Sequence, residues 1–236
     1  MTNKKPEEKT DARQSKGMGR MAAEDRREQI LDVAIRLFSQ KGFRGTTTKE
    51  IALAAGVNEA IIFRHFATKS ELYAAIIDRK AHPPDGQSLE RMLAEAIAAG
   101  DDRHVFESIA FNLLEFHERD DTAMRLLLYS ALEGHELAEM IVRNHVSKVH
   151  RRLADYVKKR IAEGAFRRMD PMTSVRGFMG MVISHVIQKK FFQHALEEPL
   201  NTNNRQVAAS FTDLFLASMT NAGFESQRTR RTVPRA

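Results

Sequence analysis

From Ala22 to about Asn221 apolar residues recur at intervals of three and four, and nowhere do they alternate as a half-buried strand requires. That periodicity confines the chain to helices packed on helices, an all-α fold. The 236 residues are ample to bury a core. Cysteine is absent, which excludes disulfides, thiolate metal sites and a cysteine nucleophile. No apolar run reaches about 18 residues, and the first thirty residues lack a signal-peptide apolar region, so a cytoplasmic protein is expected.

Composition and turn residues divide the chain. Residues 1–23 are polar without apolar periodicity and read as a disordered arm. Residues 24–81 read as a small helical domain, ended by His82-Pro83-Pro84-Asp85-Gly86. Residues 86–223 read as a larger helical domain. Residues 224–236 carry Arg228, Arg230, Arg231 and Arg235 with no acid after Glu225, a disordered basic tail. The net charge of +6 suggests an anionic partner without proving one, and that tail can account for much of it.

Within the small domain, Ile30, Leu31, Ala34, Leu37 and Phe38 form one apolar stripe that closes at Gly42. Thr47 and Glu50 form a capping box for a helix through Ala55. Gly56-Val57 then separates it from Asn58, the N-cap of a short helix ending near His65. Two short helices on a tight glycine turn make a helix-turn-helix, whose second helix fits a DNA major groove about 12 Å wide. Helical hairpins with glycine turns serve other ends too, so the spacing alone leaves DNA binding open.

The order Thr47-x-x-Glu50-Ile51-Ala52-x-x-Ala55-Gly56-Val57, then Phe63-x-His65-Phe66-x-x-Lys69-x-x-Leu72, resembles the N-terminal domain of TetR-family transcriptional regulators over residues 24–78. The resemblance implies a double-stranded DNA partner, a palindromic operator read by a homodimer, and a repressor released by a small apolar effector. It places Arg44, Thr47, Thr48, Asn58, Glu59, Ala60, Ile61, Phe63, Arg64, His65 and Lys69 at the DNA. Thr47 serves equally as a plain cap, Arg44 as a solvated loop charge, and His65 as a phosphate ligand or a helix-end anchor. Where the family often has Tyr-Tyr-His-Phe, Phe63 lacks a phosphate-binding hydroxyl and Arg64 adds a cation able to pair with guanine. Glu59 would repel phosphate unless it accepts from cytosine or is held by Arg64 or Asn58. Arg64 and Glu59 are expected on the groove side, Ile62 and Phe66 on the core side, and Ile61 on either.

In the larger domain the stretch 103–118 is apolar almost all round. Phe106, Ile109, Phe111, Leu113 and Phe116, with Met124, Leu128, Tyr129 and Met140, are expected to line an effector pocket with His117 as a polar anchor; the alternative is a core with no cavity. Gly177, Phe178, Gly180, Met181 and Ser184, with Phe211, Leu214 and Phe215, are expected at a twofold four-helix dimer surface, or else inside one subunit. Nine histidines include no spaced pair with a carboxylate third ligand, so no metal and no cofactor is expected. Gly17-x-Gly19-x-x-Ala22 matches a dinucleotide fingerprint but follows no strand. A helical protein–protein adaptor and an all-α enzyme remain the rival classes.

Overall fold

The computed structural model describes residues 8–81, 86–195, 200 and 202–221. Its elements are α1 (Glu8–Lys41), α2 (Thr48–Ala54), α3 (Glu59–His65), α4 (Lys69–Ala81), α5 (Gly86–Ala99), α6 (Asp102–Arg119), α7 (Thr122–Leu132), α8 (Glu136–Ile141), α9 (Ser147–Ala162), α10 (Pro171–Ile187) and α11 (Asn204–Met219). A wide turn at Val142–Val146 carries α8 into α9, and another at Gln188–Phe192 extends α10. The all-α expectation holds: among the described residues the extended pairing is one isolated bridge, Phe166 to Thr220.

Helix α1 begins at Glu8, inside the segment expected to be disordered. The reason is that propagating a helix from an anchored nucleus adds one hydrogen bond per residue fixed, and the Lys, Arg, Gln, Ala and Met of this segment are good helix formers. Gly17 and Gly19 lie within that helix rather than in a phosphate-binding loop. The basic tail at 224–236 lies outside the described residues.

Two compact units result. The first holds the described residues up to Ala81 together with Arg125–Ala138. Its core is Ile30, Leu31, Ala34 and Phe38 of α1, Ile51 and Ala52 of α2, Ile62 of α3, Phe66, and Leu72, Tyr73 and Ile76 of α4, all buried. Segment 125–138, expected in the larger domain, belongs here because polar anchors hold it. The Tyr73 hydroxyl donates to the Leu126 carbonyl at 3.0 Å, and the Tyr129 hydroxyl donates to the Gln40 carbonyl at 3.0 Å.

In the second unit α6 packs on α5, α10 and α11, and α10 packs on α9. Phe106, Phe178 and Phe215 form a triangle of rings with centroids 4.5–5.1 Å apart. Fully burying one such ring contributes about 1.5–3 kcal/mol. Beside this triangle Arg160 is buried and grips both oxygens of Asp102 at 2.8 Å, while the Tyr156 hydroxyl donates to the same carboxylate at 2.6 Å.

Candidate nucleic-acid interface

The first unit builds its presented surface from local caps. Thr47 sits in extended backbone, accepts the Glu50 N–H at 3.1 Å on its hydroxyl, and donates its own N–H to the Glu50 carboxylate at 2.8 Å. Lys41 and then Thr47 hold the Glu50 carboxyl down to about 2. The turn after α2 closes with Val57 N–H on the Ala52 carbonyl at 3.0 Å, and Gly56 takes φ +64°, where a side chain is strained. The Gln29 side chain donates to the Ala55 carbonyl at 3.1 Å, tying the turn to α1. The Asn58 side chain caps α3 by accepting the Ile61 N–H at 3.2 Å.

With the turn fixed, α3 divides into two sides. Ile62 is buried, as is Phe66 just beyond the helix, with the Arg27 guanidinium 5.1 Å from the Phe66 ring centre. Asn58, Ala60, Phe63 and Arg64 are exposed, with Phe63 at 46%, while Glu59 and Ile61 are half-buried. Arg44 is exposed on the loop before α2. Along α3 and its cap these groups offer an amide, an apolar ring and a cation, with Arg44 a second cation on the loop, a set able to read base edges.

Three expected DNA contacts, Lys69, Thr48 and Glu59, are engaged elsewhere, and a fourth, His65, is part-enclosed. The Lys69 ammonium lies 4.1 Å from the Phe43 ring centre and donates to the Phe43 carbonyl, so it is committed to the loop rather than held out for phosphate. Burial lowers its pKa, against the opposing pull of Glu133 and Glu50. Thr48 donates its hydroxyl to the Glu59 carboxylate. Glu59 is therefore held by Thr48 and not by Arg64 or Asn58, because both residues sit at helix N-termini that the turn brings together. His65 is half-buried, its Nε2 is enclosed without a hydrogen-bond partner, and burial followed by Arg64 and Arg27 lowers its pKa. With Nε2 enclosed, that nitrogen is not held out toward phosphate.

Three further residues stand out in the folded unit. Lys49 and Leu53 lie four apart on the outer side of α2, and Leu53 is 83% exposed. Their i, i+4 spacing on the side away from Ile51 and Ala55 was the available signal. Glu133 accepts the Phe43 N–H at 3.1 Å and the Arg44 N–H at 3.2 Å, and no local pattern marks it.

In the second unit the expected effector lining disperses. Phe106 and Ile109 are closed core, and Met124 is buried. Leu113 and Phe116 are half-buried, and Met140 is 42% exposed. Leu128 and Tyr129 belong to the first unit, with Tyr129 spent on Gln40. Phe111 packs under the Arg205 guanidinium at 4.9 Å and borders an open cleft of about 580 Å³ with Arg103, His104 and Glu107. His117 lines a separate crevice of about 170 Å³. Of the expected dimer residues, Phe178 and Phe215 are internal, because each closes the Phe106 triangle. Gly177, Gly180, Ser184 and Leu214 are exposed, and Met181 and Phe211 are half-buried. Among the described residues no group of three or more His, Asp or Glu is placed to hold a metal, and no helix is long and apolar enough to cross a membrane.

The fold and this surface define a helix-turn-helix protein. The family model for bacterial regulatory proteins of the tetR family matches residues 30–76, and that for the C-terminal domain of AefR-like transcriptional repressors matches 106–218. The chain is 30% identical over 166 residues to the HTH-type transcriptional regulator YvkB of Bacillus subtilis, covering 69% of this chain and 82% of YvkB. It is 40% identical over 93 residues to the HTH-type transcriptional regulator AcrR of Shigella flexneri, a match spanning 39% of this chain and only 42% of AcrR. Two solved structures share the fold. AibR, in complex with isovaleryl coenzyme A and operator DNA, has a TM-score of 0.59 at 19% identity, over 80% of this chain and 97% of AibR. A TetR-family regulator from Agrobacterium tumefaciens has a TM-score of 0.59 at 17% identity, over 84% of this chain and all of that one. The chain belongs to the TetR family of transcriptional regulators and is a DNA-binding regulator of transcription.

Proposed function

We propose that this protein is a transcriptional repressor that binds a palindromic operator as a homodimer in the cytoplasm and is released by a small apolar effector held in the second unit. The observation that carries the reading is the two-sided α3, with Ile62 buried and Ala60, Phe63 and Arg64 exposed. A recognition helix needs that division, since its core side fixes the angle at which its outer side enters the groove. The repressor assignment is supported by the match of residues 106–218 to a repressor C-terminal domain. The effector is supported by likeness in fold to AibR, which was crystallised with isovaleryl coenzyme A and operator DNA. The dimer is supported by exposed Gly177, Gly180, Ser184 and Leu214 on α10 and α11. A twofold dimer reads half-sites about 34–36 Å apart.

In this reading the effector favours a conformation of the dimer that fits the operator less well, and operator affinity falls by the ratio of the effector's affinities for the two conformations. Selection of bound fragments from random duplex DNA tests the reading: a recovered palindrome is expected, and an unselective pool refutes it. On the recovered site, Arg64→Ala is expected to cost about 1–3 kcal/mol and relax preference at one base step. Equal loss on every sequence would move Arg64 from base edge to phosphate.

A further inference from the structure

Between Arg143 and Arg176 the second unit carries ten Lys and Arg against the three acids Asp155, Glu163 and Asp170, a surplus larger than the whole chain's +6. Much of it stands on one side of α9. At 3.6 residues per turn, Lys148, Arg151, Arg152, Lys158 and Lys159 fall within an arc of about 120°. All five are exposed, and Asp155 is the one acid among them. The opposite side of α9, with Leu153, Ala154, Tyr156 and Val157, is buried.

Elsewhere in this unit exposed cations keep a carboxylate one turn away: Arg91 with Glu95, Arg103 with Glu107, Arg119 with Glu115, and Arg143 with Glu139. On α9 only Lys159 is so placed, 3.8 Å from Glu163; among the described residues Lys148, Arg151, Arg152 and Lys158 form no ion pair. Like charges three and four apart on a helix repel, as Lys148 does with Arg151 and Arg152. The fold therefore gains nothing from this stripe, and its use lies with an anionic partner.

We propose that the exposed side of α9 binds the phosphate backbone of duplex DNA through Lys148, Arg151, Arg152, Lys158 and Lys159, without reading sequence. Phosphate contacts need cations and no apolar surface, which is what the stripe offers. From Lys148 to Lys159 the helix rises about 16 Å, the length of roughly five base pairs. A membrane-surface helix needs an apolar side free to enter the lipid, and that of α9 is spent on the core. The core of a protein interface is rich in aromatic side chains and poor in lysine, the reverse of this stripe. The proposal goes beyond the operator reading, because it adds a second DNA-binding surface outside the helix-turn-helix.

The test is fluorescence anisotropy of the full chain on a labelled duplex of about 20 base pairs without the selected operator, from about 50 to about 200 mM salt. The triple variant Arg151→Gln, Arg152→Gln, Lys158→Gln is expected to lose at least tenfold at the lowest salt. Its log–log salt slope is expected to be shallower by about 2–3, since each phosphate contact contributes about 0.9. The variant Arg91→Gln, Arg119→Gln, Arg205→Gln removes the same charge from other exposed positions of the unit and is expected to stay within about threefold. Arg151→Lys with Arg152→Lys keeps the charge and is expected to bind as the parent does. The urea midpoint of the glutamine stripe variant is expected to equal or exceed the parent's. Equal losses in the two glutamine triples, an unchanged salt slope, or a lowered urea midpoint each overturn the proposal. Unchanged DNA affinity overturns it too, and lost flotation with phosphatidylserine vesicles in its place would give the stripe to a membrane. Because the duplex carries no operator, failed operator selection leaves a positive result standing, and failure here leaves the α3 reading intact.

Discussion

The loop between α1 and α2 is held by a residue ninety positions away, and that grip is open to a quantitative test. The Glu133 carboxylate accepts the Phe43 N–H at 3.1 Å and the Arg44 N–H at 3.2 Å. Gly42, at φ +74°, leaves room for it: a Cβ there would stand 2.3 Å from Glu133 Oε1. Lys69 takes the Phe43 carbonyl and ring from the other side. A hydrogen bond to a charged group contributes about 1.5–3 kcal/mol. Arg44 is exposed, so water replaces its bond to Glu133, and the half-buried Phe43 N–H sets the loss. Glu133→Ala is therefore expected to cost about 1.5–2 kcal/mol in urea unfolding. If DNA binding restores the loop's order, the same energy appears in affinity, a tenfold drop for each ~1.4 kcal/mol, measured by fluorescence anisotropy on the selected operator. Glu133→Gln keeps one acceptor oxygen and is expected to recover about half. The pair Glu133→Ala and Lys69→Ala is expected to be non-additive, because both act on the Phe43 peptide. A Glu133→Ala chain within about 0.5 kcal/mol of the parent in both stability and affinity would refute the reasoning, since surface substitutions away from specific features fall in that range.

Three further outcomes are expected. Asp102→Ala strips both of its bonds from the buried Arg160 guanidinium, so a loss of about 3–4 kcal/mol is expected in urea unfolding; a loss below about 1 kcal/mol would show the pair to be idle. His117 and His185 bind a proton less readily in the fold than in the unfolded chain, where histidine titrates near 6.5, so their contribution is complete above that value and is lost as pH falls below it. The urea midpoint is expected to drop between pH 7.5 and 5.5 and to drop less in the double variant His117→Asn, His185→Gln; an equal drop would assign the effect to other groups. Gly180→Leu places a side chain where an added Cβ meets nothing within 4 Å, so the fold is expected to hold while sedimentation shows a monomer; a dimer of unchanged affinity would remove α10 from the proposed interface.

What the sequence made legible follows from the range of the interactions involved. The capping box at Thr47, the glycine turn and the Asn58 cap span three or four residues each, and every one appears as read. The buried side of α3 at Ile62 and Phe66 was readable for the same reason, since one helical period decides it. Periodicity says that a residue is inward but not what lies beyond it. Phe178 and Phe215 have the spacing of an interface, yet they close on Phe106 within the chain. Tyr129 has the look of a pocket anchor, yet its hydroxyl is spent on Gln40. Lys69 matches its family position, yet a neighbouring ring and carbonyl, brought close only by folding, claim its charge. In each case local pattern set the direction of a side chain, and a partner far along the chain set its role. Glu133 is the limiting case: nothing within a helical turn distinguishes it from any solvated glutamate, and its meaning arises wholly from two N–H groups ninety residues earlier. A recognition surface whose supporting loop is fixed at such range can keep its reading residues unchanged and still lose its function through a substitution that touches none of them.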